Sequence, residues 1–257
     1  MRPETALDSW RDWSCELSSR PVVAGPLDDG CSNRSLLLDS GQGKLVLRLN
    51  GSDSWLPGGE RSKEALIWQA ASSKGIAPSL LFVDKNNRFL VSRYIENSVP
   101  NAPPMDEPFV GQAFDLLKRC HELKFDGPAI NYAEHIEKYW LAIESRARAS
   151  APALLDQRKP MQEALQQLIA SNMPTGLCHH DPVTANFVGN KQKLYLIDWE
   201  YAANGLIIMD YAAFAVEWQL DDQTVIVRTG LDPGLLGQAK RIYQYLCELW
   251  QALSTAH

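Results

Sequence analysis

The stretch CHHDPVTANF, residues 178 to 187, concentrates the groups able to do chemistry in this chain. His179 and His180 stand together, Asp181 follows, and Asn186 comes five places after that aspartate. Twelve places beyond Asn186 a second acid, Asp198, closes the apolar run LYLI. A metal centre, a hydrolytic centre and a phosphate-transfer centre all use such residues. Zinc fits poorly, because two adjacent histidines do not converge on one ion and no third His or Cys stands at ligand spacing. A serine hydrolase needs a nucleophile elbow such as G-x-S-x-G, and the chain has none. A metal-free acid–base pair leaves Asn186 without a task.

Phosphoryl transfer uses every one of these groups. It needs a base or orienter for the attacking hydroxyl, and oxygen ligands for Mg²⁺ bridging the phosphates. Mg²⁺ is a hard ion that takes carboxylate and amide oxygens. The run His179-x-Asp181-x-x-x-x-Asn186 matches the catalytic-loop pattern H-x-D-x-x-x-x-N, and Asp198 stands where a magnesium aspartate belongs. Asp181 is thus the expected catalytic acceptor, His179 the group that braces its loop, and Asn186 and Asp198 the expected metal ligands. His180 is read as a bystander. The bland alternative for Asp181 and Asn186 is a turn or helix cap, the common use of both residue types.

The elements that must position these groups fall into two sets. RSLLLD (34–39) and KLVLRL (44–49), split by SGQG, read as a hairpin. ERSKEALIWQAASSKG (60–75) has helical spacing and stops at glycine. SLLFVD and RFLVSRYI read as two further strands joined by the turn KNN. Arg48 is then a cation on a strand and Glu64 an acid on the next helix, the ion pair that positions phosphates in kinases. GPLDDGCSNRS (25–35) lies between the first two strands. Its backbone N–H groups at Gly30, Cys31, Ser32 and Asn33 are candidates to cradle phosphate. Arg93, Tyr94 and Ile95, at the end of the last strand, complete the nucleotide-binding candidates.

Residues 96–108 carry four prolines in thirteen positions and read as a linker between a lobe of residues 1–95 and a lobe of residues 109–257. Beyond it helices are expected over 109–124, 131–148, 153–171, 207–220 and 234–253, interrupted by a small hairpin through FV, GN and LYLID. Trp140, Leu141 and Ile143 are read as core, His121 as packing, and Trp199 as pointing inward. Asp198 and Asp210 are separated by only eleven residues, which leaves little room for a regulated activation loop or a protein-substrate platform.

A chain of 257 residues has ample material for two lobes with a core. Its net charge of -6 gives no basic footprint, so no nucleic-acid partner is expected. No run approaches the ~20 apolar residues of a membrane span. Five cysteines without a C-x-x-C pair read as reduced thiols, and a cytoplasmic location is expected.

CHHDPVTANF together with LIDWEYA resembles the superfamily of choline/ethanolamine kinases, thiamine kinases and aminoglycoside phosphotransferases. The resemblance extends to GCSN, to KEALIWQAASSKGIAP and to LKRCHEL, and so runs over most of the chain. It implies an α+β, protein-kinase-like two-lobe fold, with a small β-rich N-lobe and a larger helical C-lobe. It further implies ATP and Mg²⁺ as cofactors, a small-molecule alcohol as substrate, and Asp210 as a structural acid. DWEYA and the later Glu217-Trp218 lean toward the choline and thiamine kinases, and thus toward a cationic substrate. Glu200, Glu217 and Trp218 are the expected substrate contacts. Arginine at 48 replaces the family's usual lysine. An aminoglycoside or amino-sugar kinase, and a nucleotide-binding pseudokinase without turnover, stay open as alternatives.

Overall fold

The computed structural model describes residues 1–29, 33–51, 61–100, 102–146 and 152–254. A short helix, Pro3–Leu7 (α1), leads into strands Val22–Asp29 (β1), Asn33–Asp39 (β2) and Lys44–Asn50 (β3). Helix Arg61–Ser73 (α2) then crosses to strands Leu80–Val83 (β4) and Phe89–Arg93 (β5). The five strands form one antiparallel sheet in the order β1-β2-β3-β5-β4. The β2–β3 turn uses Gly41 and Gly43 at positive φ, and the Ser40 hydroxyl donates to the Gly43 carbonyl at 2.6 Å. In the β4–β5 turn Asp84 accepts the N–H groups of Asn86 and Arg88.

Strand periodicity divides this sheet into two faces. Leu45, Leu47 and Leu49 alternate with Val46 and Arg48 along β3. The three leucines join Leu36, Leu38, Phe89 and Val91 in a core covered by Ala6, Leu7 and Trp13 from the N-terminal segment. Each leucine so buried contributes about 1.5–3 kcal/mol. The opposite face, carrying Val46, Arg48 and Ser92, lines a cleft. On α2 the apolar residues Ile67, Trp68 and Ala71 face the second lobe and belong to its core.

The second lobe contains helices Glu107–His121 (α3), Tyr132–Arg146 (α4) and Pro152–Ala170 (α5). Four short strands follow: Thr175–Cys178 (β6), Phe187–Gly189 (β7), Leu194–Leu196 (β8) and Ala203–Leu206 (β9). Helices Ile207–Glu217 (α6), Asp222–Thr229 (α7) and Pro233–Ser254 (α8) complete it. Strand β6 pairs with β9 and β7 with β8, both antiparallel. Helix α6 is buried continuously from Ile208 to Ala215, which explains its nearly unbroken apolar sequence. The fold is thus the α+β two-lobe arrangement expected.

Several local expectations need correction. Residues 25–29 and 33–35 are strand rather than loop, and Gly30, Cys31 and Ser32 lie outside the described residues. Helix α3 starts at Glu107, inside the proline-rich segment, because Pro108 is tolerated in a helix's first turn. Leu141 is 58% exposed, while Trp140 and Ile143 are buried as expected. The β6–β9 pairing and α7 were not foreseen. Helix α7 carried its own signal: Asp221 caps it by accepting the Thr224 N–H at 2.9 Å, and Gly230 ends it at φ 72. The linker is tied down: Ser98 N–H donates to the Gly189 carbonyl at 2.7 Å, and the Asn97 side chain accepts the Gly189 N–H.

Candidate active site

Two strand pairs force two loops side by side. Cys178 pairs with Ala203 and Phe187 with Leu196, so residues 179–186 and 197–202 bridge the same gap between the two ladders. Their ends leave them little freedom to separate. The Ile197 N–H donates to the Asn186 carbonyl at 3.0 Å, and His179 Nε2 lies 3.0 Å from the Ile197 carbonyl. A carbonyl only accepts, so Nε2 carries the proton. Burial depresses the His179 pKa, keeping the ring neutral, and it packs edge-on against the buried Trp199. His179 is fully buried, so it is a positioning residue rather than a group that meets a reactant.

Within the first loop, the Asn186 amide nitrogen donates to the Asp181 carbonyl at 2.9 Å and to Asp181 Oδ2 at 2.8 Å. That turns the amide oxygen away from Asp181. Burial pushes the Asp181 carboxyl up to about 7, Asp198 acts in the same direction, and the Asn186 hydrogen bond opposes them. Asp198 occupies the left-handed region at φ 63, as does His180 at φ 64. Backbone of that kind in residues other than glycine is costly and persists where the surroundings fix it.

What fixes His180 is Asp210. This fully buried carboxylate accepts the N–H of His179 at 2.8 Å and of His180 at 2.7 Å, and it meets His121 Nε2 at 2.9 Å. Burial alone would raise its pKa, but the His121 contact and the backbone donors hold it down at about 2. His180 Nε2 also contacts the Tyr132 hydroxyl at 2.9 Å, and that hydroxyl accepts the Leu206 N–H at 3.1 Å. His180 is therefore held in place by both backbone and ring, and His121 serves the same anchor. Asp210→Asn is expected to destabilise the protein, since an amide offers one acceptor oxygen where three donors converge. A buried donor left unmatched costs ~1–3 kcal/mol, measurable by chemical denaturation.

From the opposite side, Arg48 of β3 reaches into the same place. Its guanidinium lies 2.6 Å from Glu64 on α2 and 3.1 Å from Asp198. Burial works against its charge, but Glu64, Asp198 and Glu200 surround it and keep its pKa raised. The expected strand-to-helix ion pair is thus formed. Asn33 also reaches this cluster, its amide 3.5 Å from Glu200 Oε2.

Between the lobes runs a cleft of ≈ 1320 Å³. It is lined by Arg93, Tyr94 and Ile95 with Val46 and Ser92, and by Asp181, Asn186 and Asp198. Glu217, Tyr139, Tyr201, Tyr243 and Trp250 line it as well. The Tyr243 hydroxyl donates to Glu217 Oε1 at 2.9 Å. Two expected substrate contacts need correction. Trp218 is only 1% exposed, donates from Nε1 to the Pro182 carbonyl, and packs against Phe187 and Phe214 in the core. Its neighbour Glu217 faces the cleft because adjacent helical positions point about 100° apart. Glu200 lines the cleft but is turned toward the N-lobe, where Arg61 holds its Oε2 at 3.1 Å. The tyrosines that line the cleft with Glu217 escaped sequence reasoning because they come from α4, α8 and the loop after Asp198, with no common spacing.

A family model described as "phosphotransferase enzyme family" matches residues 23–252. The chain belongs to the phosphotransferase enzyme family. The chain is 23% identical over 198 residues to Protein LicA of Haemophilus influenzae, an alignment covering 76% of the chain but 58% of that relative. The chain thus spans under two thirds of the relative's length. Its fold is similar to that of the choline kinase LicA of Streptococcus pneumoniae, with a TM-score of 0.73 at 21% identity, covering 90% of this chain and 86% of that one. It is also similar to APH(2")-IIa in a ternary complex with streptomycin and ATP, with a TM-score of 0.69 at 13% identity, covering 98% and 90%. Those likenesses bear out the protein-kinase-like fold. Among the described residues, no helix is long and apolar enough to cross a membrane.

Proposed function

We propose that this phosphotransferase moves the γ-phosphoryl group of ATP onto a hydroxyl of a small cationic molecule, of the size and kind of choline, ethanolamine or thiamine. The observation that carries this reading is one cleft lined both by Asp181, Asn186, Asp198 and Arg48 and by Glu217 with several aromatic rings. The hydroxyl oxygen attacks the γ-phosphorus, the bond from that phosphorus to the bridging oxygen breaks, and ADP leaves. The hydroxyl proton passes to the Asp181 carboxylate, whose value of about 7 suits a group that must accept a proton near neutrality.

The donor set suits Mg²⁺. Asn186 has its amide nitrogen engaged by Asp181, which leaves its oxygen as the ligand atom. The Asp198 side chain is 34% exposed to the cleft. Both donors are hard oxygens of the kind this ion takes. Bound there, Mg²⁺ supplies charge neutralisation on the phosphate oxygens. Arg48, steadied by Glu64, turns its guanidinium to the phosphates, and Arg93, Tyr94 and Ile95 border the nucleotide.

The cationic preference rests on Glu217 and on the rings of Tyr139, Tyr201, Tyr243 and Trp250. A desolvated cation over an aromatic face gains about 2 kcal/mol. Lys138 lines the same cleft, but Glu134 pairs with it at 2.9 Å. The test is magnesium-dependent ATP consumption with choline, ethanolamine, thiamine and an aminoglycoside in parallel. Turnover with a cationic alcohol is the expected result; turnover only with a neutral or anionic alcohol overturns the cationic assignment, and ATP binding without any turnover points to a pseudokinase. Glu217→Gln is expected to raise the KM for the alcohol by about tenfold or more, the equivalent of ~1.4 kcal/mol, and to spare the KM for ATP. Unchanged alcohol KM in this variant removes Glu217 from the pocket.

A further inference from the structure

Five charged side chains from three elements form an alternating series that runs from the cleft into the contact between α2 and the loop after Asp198. Asp198 meets Arg48 at 3.1 Å, Arg48 meets Glu64 at 2.6 Å, Glu64 meets Arg61 at 3.2 Å, and Arg61 meets Glu200 at 3.1 Å. Asp198 and Glu200 are two residues apart on one loop, so the series closes through the backbone. Two of its contacts cross between lobes: Arg48 with Asp198, and Arg61 with Glu200. They do not stand on the same footing. In the proposed reaction Arg48 serves the phosphates and Asp198 the metal, so their mutual contact must yield. The other crossing contact uses neither group.

We infer that Arg61 is a positioning residue, and that its pairing with Glu200 keeps α2 docked on the metal-binding loop while Arg48 and Asp198 exchange partners. The inference rests on the reading of the site given under Proposed function. Arg61 is the first residue of α2, one turn before Glu64, and its Nη1 touches both Glu64 Oε2 and Glu200 Oε2. Arg61 thereby ties the acid that steadies Arg48 to the acid that follows Asp198. The arginine side chain is 19% exposed and the Glu200 side chain 11%, so solvent screens this contact less than a surface pair. Asn33 of β2 adds a neutral donor to the same carboxylate oxygen, bringing β2 into the clasp.

The test is calorimetric binding of the non-hydrolysable analogue AMPPNP, with and without Mg²⁺, to the wild type, Arg61→Gln, Glu200→Gln and the double variant. Thermal unfolding of each is measured alongside, so that affinities refer to folded protein. Each single change is expected to weaken Mg²⁺–AMPPNP binding by about tenfold, or ~1.4 kcal/mol, and the double variant to lose no more than either single one. Arg61→Lys, which keeps the charge but not the fork between two acids, is expected to lose only about threefold. It also carries the test should the Gln variant not fold. Losses that multiply in the double variant mean that Glu200 acts on the metal independently of Arg61, and overturn the pairing. A lowered melting temperature with unchanged nucleotide affinity reduces the contact to a structural one, and overturns it too. Absence of Mg²⁺–AMPPNP binding in the wild type is a different result: it defeats the kinase reading itself.

Discussion

Asp181→Asn is expected to lower turnover by ~10²–10⁴-fold while leaving the affinity for Mg²⁺–ATP within a few fold of the wild type. The reason lies in what the side chain touches. Its carboxylate accepts a hydrogen bond from the Asn186 amide at 2.8 Å, and it lines the cleft. An amide at the same place keeps the shape but cannot take up the hydroxyl proton. Its remaining oxygen can still accept from the Asn186 N–H₂, so the loop keeps that hydrogen bond. The measurement is steady-state turnover with the best alcohol found in the screen, together with nucleotide titration of the same preparation. An equal loss of ATP affinity in a folded variant would place Asp181 among the nucleotide or metal ligands.

Asp198→Ala is expected to abolish the gain in nucleotide affinity that Mg²⁺ confers. Asp198 is the one carboxylate in the proposed ligand pair, and Asn186 alone offers a neutral oxygen. Removing it also deprives Arg48 of a partner at 3.1 Å, so the guanidinium is freer to meet phosphates directly. Nucleotide binding without Mg²⁺ is accordingly expected to hold or to tighten slightly. The ratio of affinities with and without the ion should therefore fall to about one, the tenfold scale being ~1.4 kcal/mol per decade. If the ratio persists, the ion is held elsewhere. The alanine also abandons a side chain at φ 63, which costs some stability and is checked by thermal unfolding.

The helices and strands of this chain were largely legible because their patterns are periodic and local. Alternation along KLVLRL put Leu45, Leu47 and Leu49 on one face and Arg48 on the other, and the structure has that division. What escaped were elements whose stability comes from elsewhere. Strand β9, ANGL, carries no strand signal of its own and forms because Thr175–Cys178 offers it an edge. Segment 25–29 contains a proline, a glycine and two aspartates, poor strand residues, yet it runs as the outer strand of the sheet. An edge position tolerates what a central strand does not.

Sequence by itself determined which residues are candidates for the centre. The spacing of His179, Asp181, Asn186 and Asp198 needs only a tight loop, a short hairpin and the hard-oxygen preference of Mg²⁺ to be read as a phosphate-transfer site. It also marked Arg48 and Glu64, because a cation on a strand and an acid on the next helix repeat the ion pair that positions phosphates in kinases. Tertiary structure alone decided which neighbouring side chains share that centre. Glu217 and Trp218 are consecutive, yet one enters the cleft and the other fills the core, since a helix turns by about 100° per residue and only packing sets its absolute rotation. Glu200 faces Arg61, 139 residues earlier in the chain, and no local pattern encodes a contact of that separation. Charge attraction holds the Glu200 side chain on Arg61, a partner that became visible only once both lobes were in place.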